Sequence, residues 1–151
     1  MGISLCMTAV SHSHTPTTSL RRVGLADPLT AAGLRHDLGY WLQRVVTPPI
    51  SATRYADILC SVNEALANCA EHAYDKQPVP GAITLQATYD ADRHTVRVCV
   101  ADHGAWRPPV SDGDDLRGRG LALMQALADR CTVERHPEGT MICLDYDTSP
   151  D

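Results

Sequence analysis

Phenylalanine is missing altogether from these 151 residues, and two Trp and five Tyr bring the aromatic share to only 5 %. A core must then be filled by Leu, Val, Ile and Ala with a few large rings. No run approaches the roughly 18 consecutive apolar residues of a membrane-spanning helix, so no membrane partner is expected. The opening MGISLCMTAV has no basic stretch leading into a long apolar one and does not read as a secretory signal. Cys6 also stands where a myristoylation motif needs Ser or Thr. Basic residues are outnumbered, 13 Lys and Arg against 18 Asp and Glu, for a net charge of −5. That balance argues against a nucleic-acid binder, which normally shows a basic stripe. It does not argue against a small anionic ligand, because backbone N–H groups hold phosphates in acidic proteins too. The six cysteines form no C-x-x-C pair and no zinc spacing. They are expected to be reduced, mostly buried thiols of a cytoplasmic protein.

What is present suits a single soluble domain: 44 % apolar and 21 % charged residues on a chain long enough to bury a core. Residues 1–17 are expected to form a flexible N-terminal tail, and 18–147 the folded domain. The tail's His12-x-His14 pair has no third ligand nearby and does not make a metal site. SLRRVGLA reads as a first strand. Asp27-Pro28 then reads as a helix start, with Asp at the cap and Pro at the first helical position. That helix runs to about Val46 on a core face of Leu34, Leu38, Trp41, Leu42 and Val45, and TPPI stops it. Ser51 caps a second helix that reaches about Tyr74. AITLQATYD and HTVRVCVAD follow as a hairpin through DADR, a third helix spans Leu121 to about Arg130, and CTVERHPEGTMICLDYD reads as a second hairpin. The order predicts an α+β fold, helices layered on one face of a mostly antiparallel sheet.

Four stretches carry chemistry. In SVNEALANCAEHAY, Tyr55, Leu59, Val62, Leu66, Cys69 and Ala73 fall on one helical side. Glu64, Asn68 and Glu71, at i, i+4 and i+7, line another edge. By itself such an edge is usually a solvated face. VCVADHGAW ends a strand in Asp102-x-Gly104: a carboxylate able to accept from a ligand amine, and a glycine that lets the backbone come close. Alone it is a turn. LRGRGLALM places Gly118 and Gly120 just before a helix, where free N–H groups can face an anion, yet it lacks the third Gly of the dinucleotide fingerprint and the Gly-Lys-Ser/Thr of a P-loop. EGTMICLDY offers Gly139 and Thr140 at a strand start, again only a turn taken singly.

Their order is similar to that of the GHKL ATPase superfamily of gyrases, histidine kinases and MutL proteins. VNEALANCAEHAY with GLALMQALADRCTVE more closely resembles the bacterial anti-sigma factor serine/threonine kinases. The resemblance covers about residues 18–147. It implies the Bergerat-type two-layer α/β sandwich, with helices on one face of a mixed, mostly antiparallel sheet. It also implies a Mg-ATP site, in which Asn68 ligates Mg²⁺ and Glu64 acts as general base. Asp102 accepts from the adenine amino group beside Gly104, Gly118, Gly120 and Leu121 cradle the phosphates, and Thr140 supports the base. Glu71 is expected behind the ligands or at the surface. The implied function is a protein serine/threonine kinase that phosphorylates an anti-sigma antagonist and regulates a sigma factor, in the cytoplasm and as a homodimer. Two departures, Trp106 where the family has a second glycine and a short acidic lid over 107–117, favour the alternative: a nucleotide-binding regulatory module with weak or no kinase activity.

Overall fold

A computed structural model of the chain describes residues 18–72, 81–103 and 114–150, with the backbone alone at 72 and 114–119. The expected tail and its His12-x-His14 pair lie outside the described residues. Strand β1 (Thr18–Leu25) leads into helix α1 (Pro28–Val45), whose start is the expected one. The Asp27 carboxylate accepts from both the Thr30 amide and the Thr30 hydroxyl, each at 2.8 Å, and so satisfies a donor that the first helical turn leaves open. Helix α2 (Ala52–His72) is capped in the same way, the Arg54 amide donating to Ser51 Oγ at 3.1 Å.

The stripe that α2 buries differs from the sequence reading. Ile58 and Ala65 are fully buried with Val62, Leu66 and Cys69, whereas Tyr55 and Leu59 are only half-buried. The reason is a second neighbour: Gly39 of α1 faces the Tyr55 hydroxyl and the Leu59 side chain. One side of α2 covers the sheet while another is packed by α1, so its buried surface is wider than one stripe.

Strands β2 (Ala82–Asp90) and β3 (Thr95–Asp102) form the first hairpin, with Asp90 Oδ1 accepting from the Asp92 and Arg93 amides at 3.0 and 3.1 Å. Helix α3 (Asp114–Leu127) and the hairpin of β4 (Arg130–His136) and β5 (Gly139–Asp147) complete the order. Among the described residues the sheet runs β1-β2-β3-β5-β4 with every pairing antiparallel, in line with the mostly antiparallel sheet expected and without its parallel part. Two tight hairpins enforce that sense for β2/β3 and β4/β5. Leu85, Val98 and Leu144 meet Leu38, Leu42, Ile58, Leu66 and Met124 in a core between sheet and helices. The two-layer α+β sandwich is as expected.

Two further expectations are corrected. Cys99 and Cys143 stand directly opposite each other on β3 and β5, with Cα atoms 4.1 Å apart, and form a disulfide. Both occupy the sheet face turned away from the helices, and their pairing follows from strand register rather than sequence proximity. Of the other described cysteines Cys69 is buried, Cys131 half-buried and Cys60 exposed. Helix α3 begins at Asp114, not Leu121, so Gly118 and Gly120 lie inside it.

Candidate functional site

Helix α2 crosses the sheet with its C-terminal half beside the end of β3 and the first half of α3, and that crossing assembles the site. Glu64 and Asn68 sit one turn apart and face α3. A Cβ placed on Gly120 would stand 3.0 Å from Glu64 Oε2 and 3.9 Å from both Asn68 side-chain polar atoms. A glycine at 120 thus lets the α3 backbone come down onto the two polar side chains. The edge that looks solvated in sequence is half-buried at Glu64 and Asn68, and only Glu71 is exposed. Beside Glu64, Asn63 Oδ1 accepts from Arg35 Nη1 at 2.7 Å, which ties α1 to this part of α2.

The other end of the site is built from Asp102, Thr140 and Cys69. Antiparallel pairing of β3 with β5 brings the last residue of one next to the first residues of the other. The Thr140 amide donates to Asp102 Oδ1 at 3.3 Å. Gly139 is obligatory for this closeness, since a Cβ there would collide with the Asp102 carbonyl oxygen and lie 3.0 Å from the His103 Cα. From the helical layer, the Cys69 thiol donates to Asp102 Oδ2 at 3.6 Å, within range for sulfur. Cys69 is 3 % exposed. Burial first, and the Asp102 charge second, push its thiol well above the ordinary range, so it stays protonated and remains a donor.

Of the residues singled out in sequence, Glu64, Asn68 and Gly120 meet at one end, and Asp102 and Thr140 at the other. Leu121 is half-buried on α3 and Gly118 precedes it on the same helix. Gly104 and Trp106 lie outside the described residues, as does the lid up to residue 113. Because Gly118, Gly120 and Leu121 sit inside a helix, their N–H groups point along its axis to carbonyls four residues back rather than into an open loop.

Two residues are not legible in the sequence: Cys69, whose apolar periodicity makes it simply a core residue, and Arg54. Arg54 Nε donates to the Asp147 carbonyl at 2.9 Å and Nη1 to the Leu127 carbonyl at 3.2 Å, and the guanidinium also pairs with Asp129. It thereby ties the start of α2 to the end of α3 and to β5. Nothing in the local spacing distinguishes it from an exposed arginine.

Chemically, Glu64 and Asn68 offer oxygen donors of the kind Mg²⁺ prefers, and that ion commonly takes only one or two protein ligands beside phosphates and water. Among the described residues no group of three or more His, Cys, Asp and Glu forms a metal site of the protein's own. A pair of donors of this kind suits a cation that arrives with a phosphate.

The sequence and the fold both have known relatives. Residues 25–146 match the model of the histidine kinase-like ATPase domain. Anti-sigma F factors of Thermoanaerobacter sp. and Thermoanaerobacter pseudethanolicus are each 30 % identical in an alignment 96 residues long that covers 58 % of this chain and 66 % of those proteins. The chain thus spans just under two thirds of the relatives' length. The crystal structure of the RsbU and RsbW domains of a Mycobacterium tuberculosis protein superposes with a TM-score of 0.70 at 26 % identity, covering 90 % of this chain and 34 % of that one. The histidine kinase domain of the Erythrobacter litoralis blue-light activated histidine kinase superposes at 0.57 with 20 % identity, covering 80 % and 60 %, and shares the fold.

Proposed function

Because this chain belongs to the histidine kinase-like ATPase domain family, we propose that it binds Mg-ATP between α2 and α3 and transfers the γ-phosphate to a Ser or Thr of an anti-sigma antagonist protein. The observation that carries this reading is the seating of Gly120 on Glu64 and Asn68. It brings together two motifs more than fifty residues apart, and in this reading the triphosphate comes between them as the start of α3 moves away. The anti-sigma F relatives support a sigma factor as one partner, and the antagonist is part of this reading. With such partners the protein works in the cytoplasm. No helix among the described residues is long and apolar enough to cross a membrane.

In this reading Asp102 accepts from the adenine amino group and Thr140 buttresses it. Asn68 holds Mg²⁺, which supplies neutralisation of phosphate charge when bound. Glu64 takes the proton from the attacking hydroxyl as its oxygen bonds to the γ-phosphorus and the bond to the β-phosphate oxygen breaks, releasing ADP. The amides of Gly118, Gly120 and Leu121 reach the phosphates if the first turns of α3 open. Two internal glycines make that opening cheaper, by roughly 1 kcal/mol each relative to alanine. Val23 and Leu25, 54 % and 55 % exposed on the edge strand β1, support a homodimer formed near that strand. Light scattering tests that association, and a monomeric mass with and without nucleotide removes it.

A second reading is favoured by Trp106 in place of the family's second glycine and by the acidic segment SDGDD. There the domain binds nucleotide and partners but transfers phosphate slowly or not at all. Incubation of the purified protein with labelled ATP and candidate antagonists separates the two. Label on Ser or Thr supports the kinase, and nucleotide-dependent partner binding without label supports the module.

A further inference from the structure

Asp102 is held from two sides, by a backbone donor from the sheet and by a side-chain donor from the helical layer. The Thr140 amide takes Oδ1 at 3.3 Å and the Cys69 thiol takes Oδ2 at 3.6 Å. Both donors restrain how the carboxylate is turned about its own bond. The Thr140 amide is part of the strand junction and survives any side-chain change. The thiol is the one of these two contacts that can be removed without touching the backbone. Cys69 also directly follows Asn68 on α2. A step of one residue turns about 100° around the helix, so one position faces α3 and the next faces the sheet.

We infer that Cys69 is a positioning residue for base recognition: its thiol turns the Asp102 carboxylate so that it reads a 6-amino purine and rejects a 6-oxo one. The inference rests on the nucleotide-site reading above and deepens it. An ionised carboxylate accepts from the amino group of adenine but faces the carbonyl oxygen of hypoxanthine or guanine as one acceptor against another. The first contact is attractive and the second leaves both groups without a donor. That discrimination depends on orientation, because a carboxylate free to turn can swing away from a 6-oxo group and lose its selectivity. A thiol is a weak donor, but Cys69 is buried, and in a buried setting even a weak hydrogen bond helps to orient its acceptor.

The test measures binding of Mg-ATP and Mg-ITP, which differ at the 6-position, to the full chain and to Cys69→Ala, Cys69→Ser and Asp102→Ala by titration calorimetry. Wild type is expected to prefer ATP. Cys69→Ala should narrow the preference about fivefold, through tighter ITP binding as well as weaker ATP binding, while Cys69→Ser, which keeps a donor, restores it. A Cys69→Ala variant that weakens ATP and ITP equally shows a packing role and overturns the inference, as does an unchanged preference. A Cys69→Ser variant that behaves like Cys69→Ala also overturns it, because rescue by a donor is what a purely steric role does not give. Failure of the underlying reading looks different. Wild type would then bind neither nucleotide, or Asp102→Ala would bind ATP as well as wild type does, and the inference would fall with that reading. Melting curves of each variant, recorded beside the titrations, separate loss of fold from loss of selectivity.

Discussion

Gly120 lies against Glu64 so closely that a methyl group on its Cα would stand 3.0 Å from the glutamate Oε2. Stability and function therefore pull in opposite directions at this position. Gly120→Ala gains about 1 kcal/mol of helix propensity, and the obstruction is the far end of a flexible side chain, which can move. The melting temperature is expected to hold or rise by about 2–4 °C. Phosphate transfer to an antagonist should fall at least tenfold, because Glu64 is pushed off its line. A variant that melts lower than wild type and transfers normally would contradict the seating described here.

Asp102→Ala should abolish stabilisation by Mg-ATP. Wild type at about a hundred times its dissociation constant gains roughly 2.7 kcal/mol from the ligand, a visible shift in a thermal melt. The variant, without its acceptor, should show none at the same nucleotide concentration. If millimolar Mg-ATP leaves the wild-type melt unmoved, the nucleotide-site assignment fails.

Glu64→Gln and Asn68→Ala should part company. The first keeps the shape and polarity of the site, so ATP binding persists while transfer drops about a hundredfold or more with the loss of the base. The second removes the amide oxygen proposed to hold Mg²⁺ and should weaken both binding and transfer. Equal transfer by wild type and Glu64→Gln would remove the general-base role.

The Cys99–Cys143 bridge spans a sequence separation of 44, and that segment contains Asp102, α3 and Thr140. A chain-entropy treatment of a loop this long gives up to about 4 kcal/mol of stabilisation. Replacing both cysteines by alanine, or adding a dithiol reductant to wild type, should lower the denaturant midpoint to a similar extent. An oxidised wild type indistinguishable from the double variant would mean that the pair is not bridged in solution.

Acid sensitivity has an identifiable contributor in Asp27. The Thr30 amide first, then the Thr30 hydroxyl, hold its carboxyl below the ordinary 3.8. A folded value below the unfolded one adds stability above the unfolded value, and that addition is lost as pH falls through the folded one. Asp27→Asn still caps α1 but does not titrate. Its melting temperature should therefore drop less than that of wild type between about pH 5 and pH 2.5, where this linkage acts. Parallel drops would exclude Asp27 as a source of the acid sensitivity.

Residue order alone determined whatever depends on neighbours along the chain. The Asp27-Pro28 start, the Ser51 cap, the alternation of Val96, Val98 and Val100, and the two hairpins were legible because capping and periodicity act over a few residues. The spacing of Glu64 and Asn68 and the succession of four short motifs were legible for the same reason. Tertiary structure decided everything that needs two distant segments to meet. It turned Glu64 and Asn68 of α2 toward α3, and it extended α3 back to Asp114, so that glycines expected in a loop lie within a helix. It brought Cys99 opposite Cys143 through a strand register that no spacing in the sequence reveals. It also gave Cys69, an unremarked member of an apolar stripe, a carboxylate for a neighbour. Periodicity tells which side of a helix is covered, but the partner that covers it is chosen by long-range packing, and at Asp102 that choice is what builds the site.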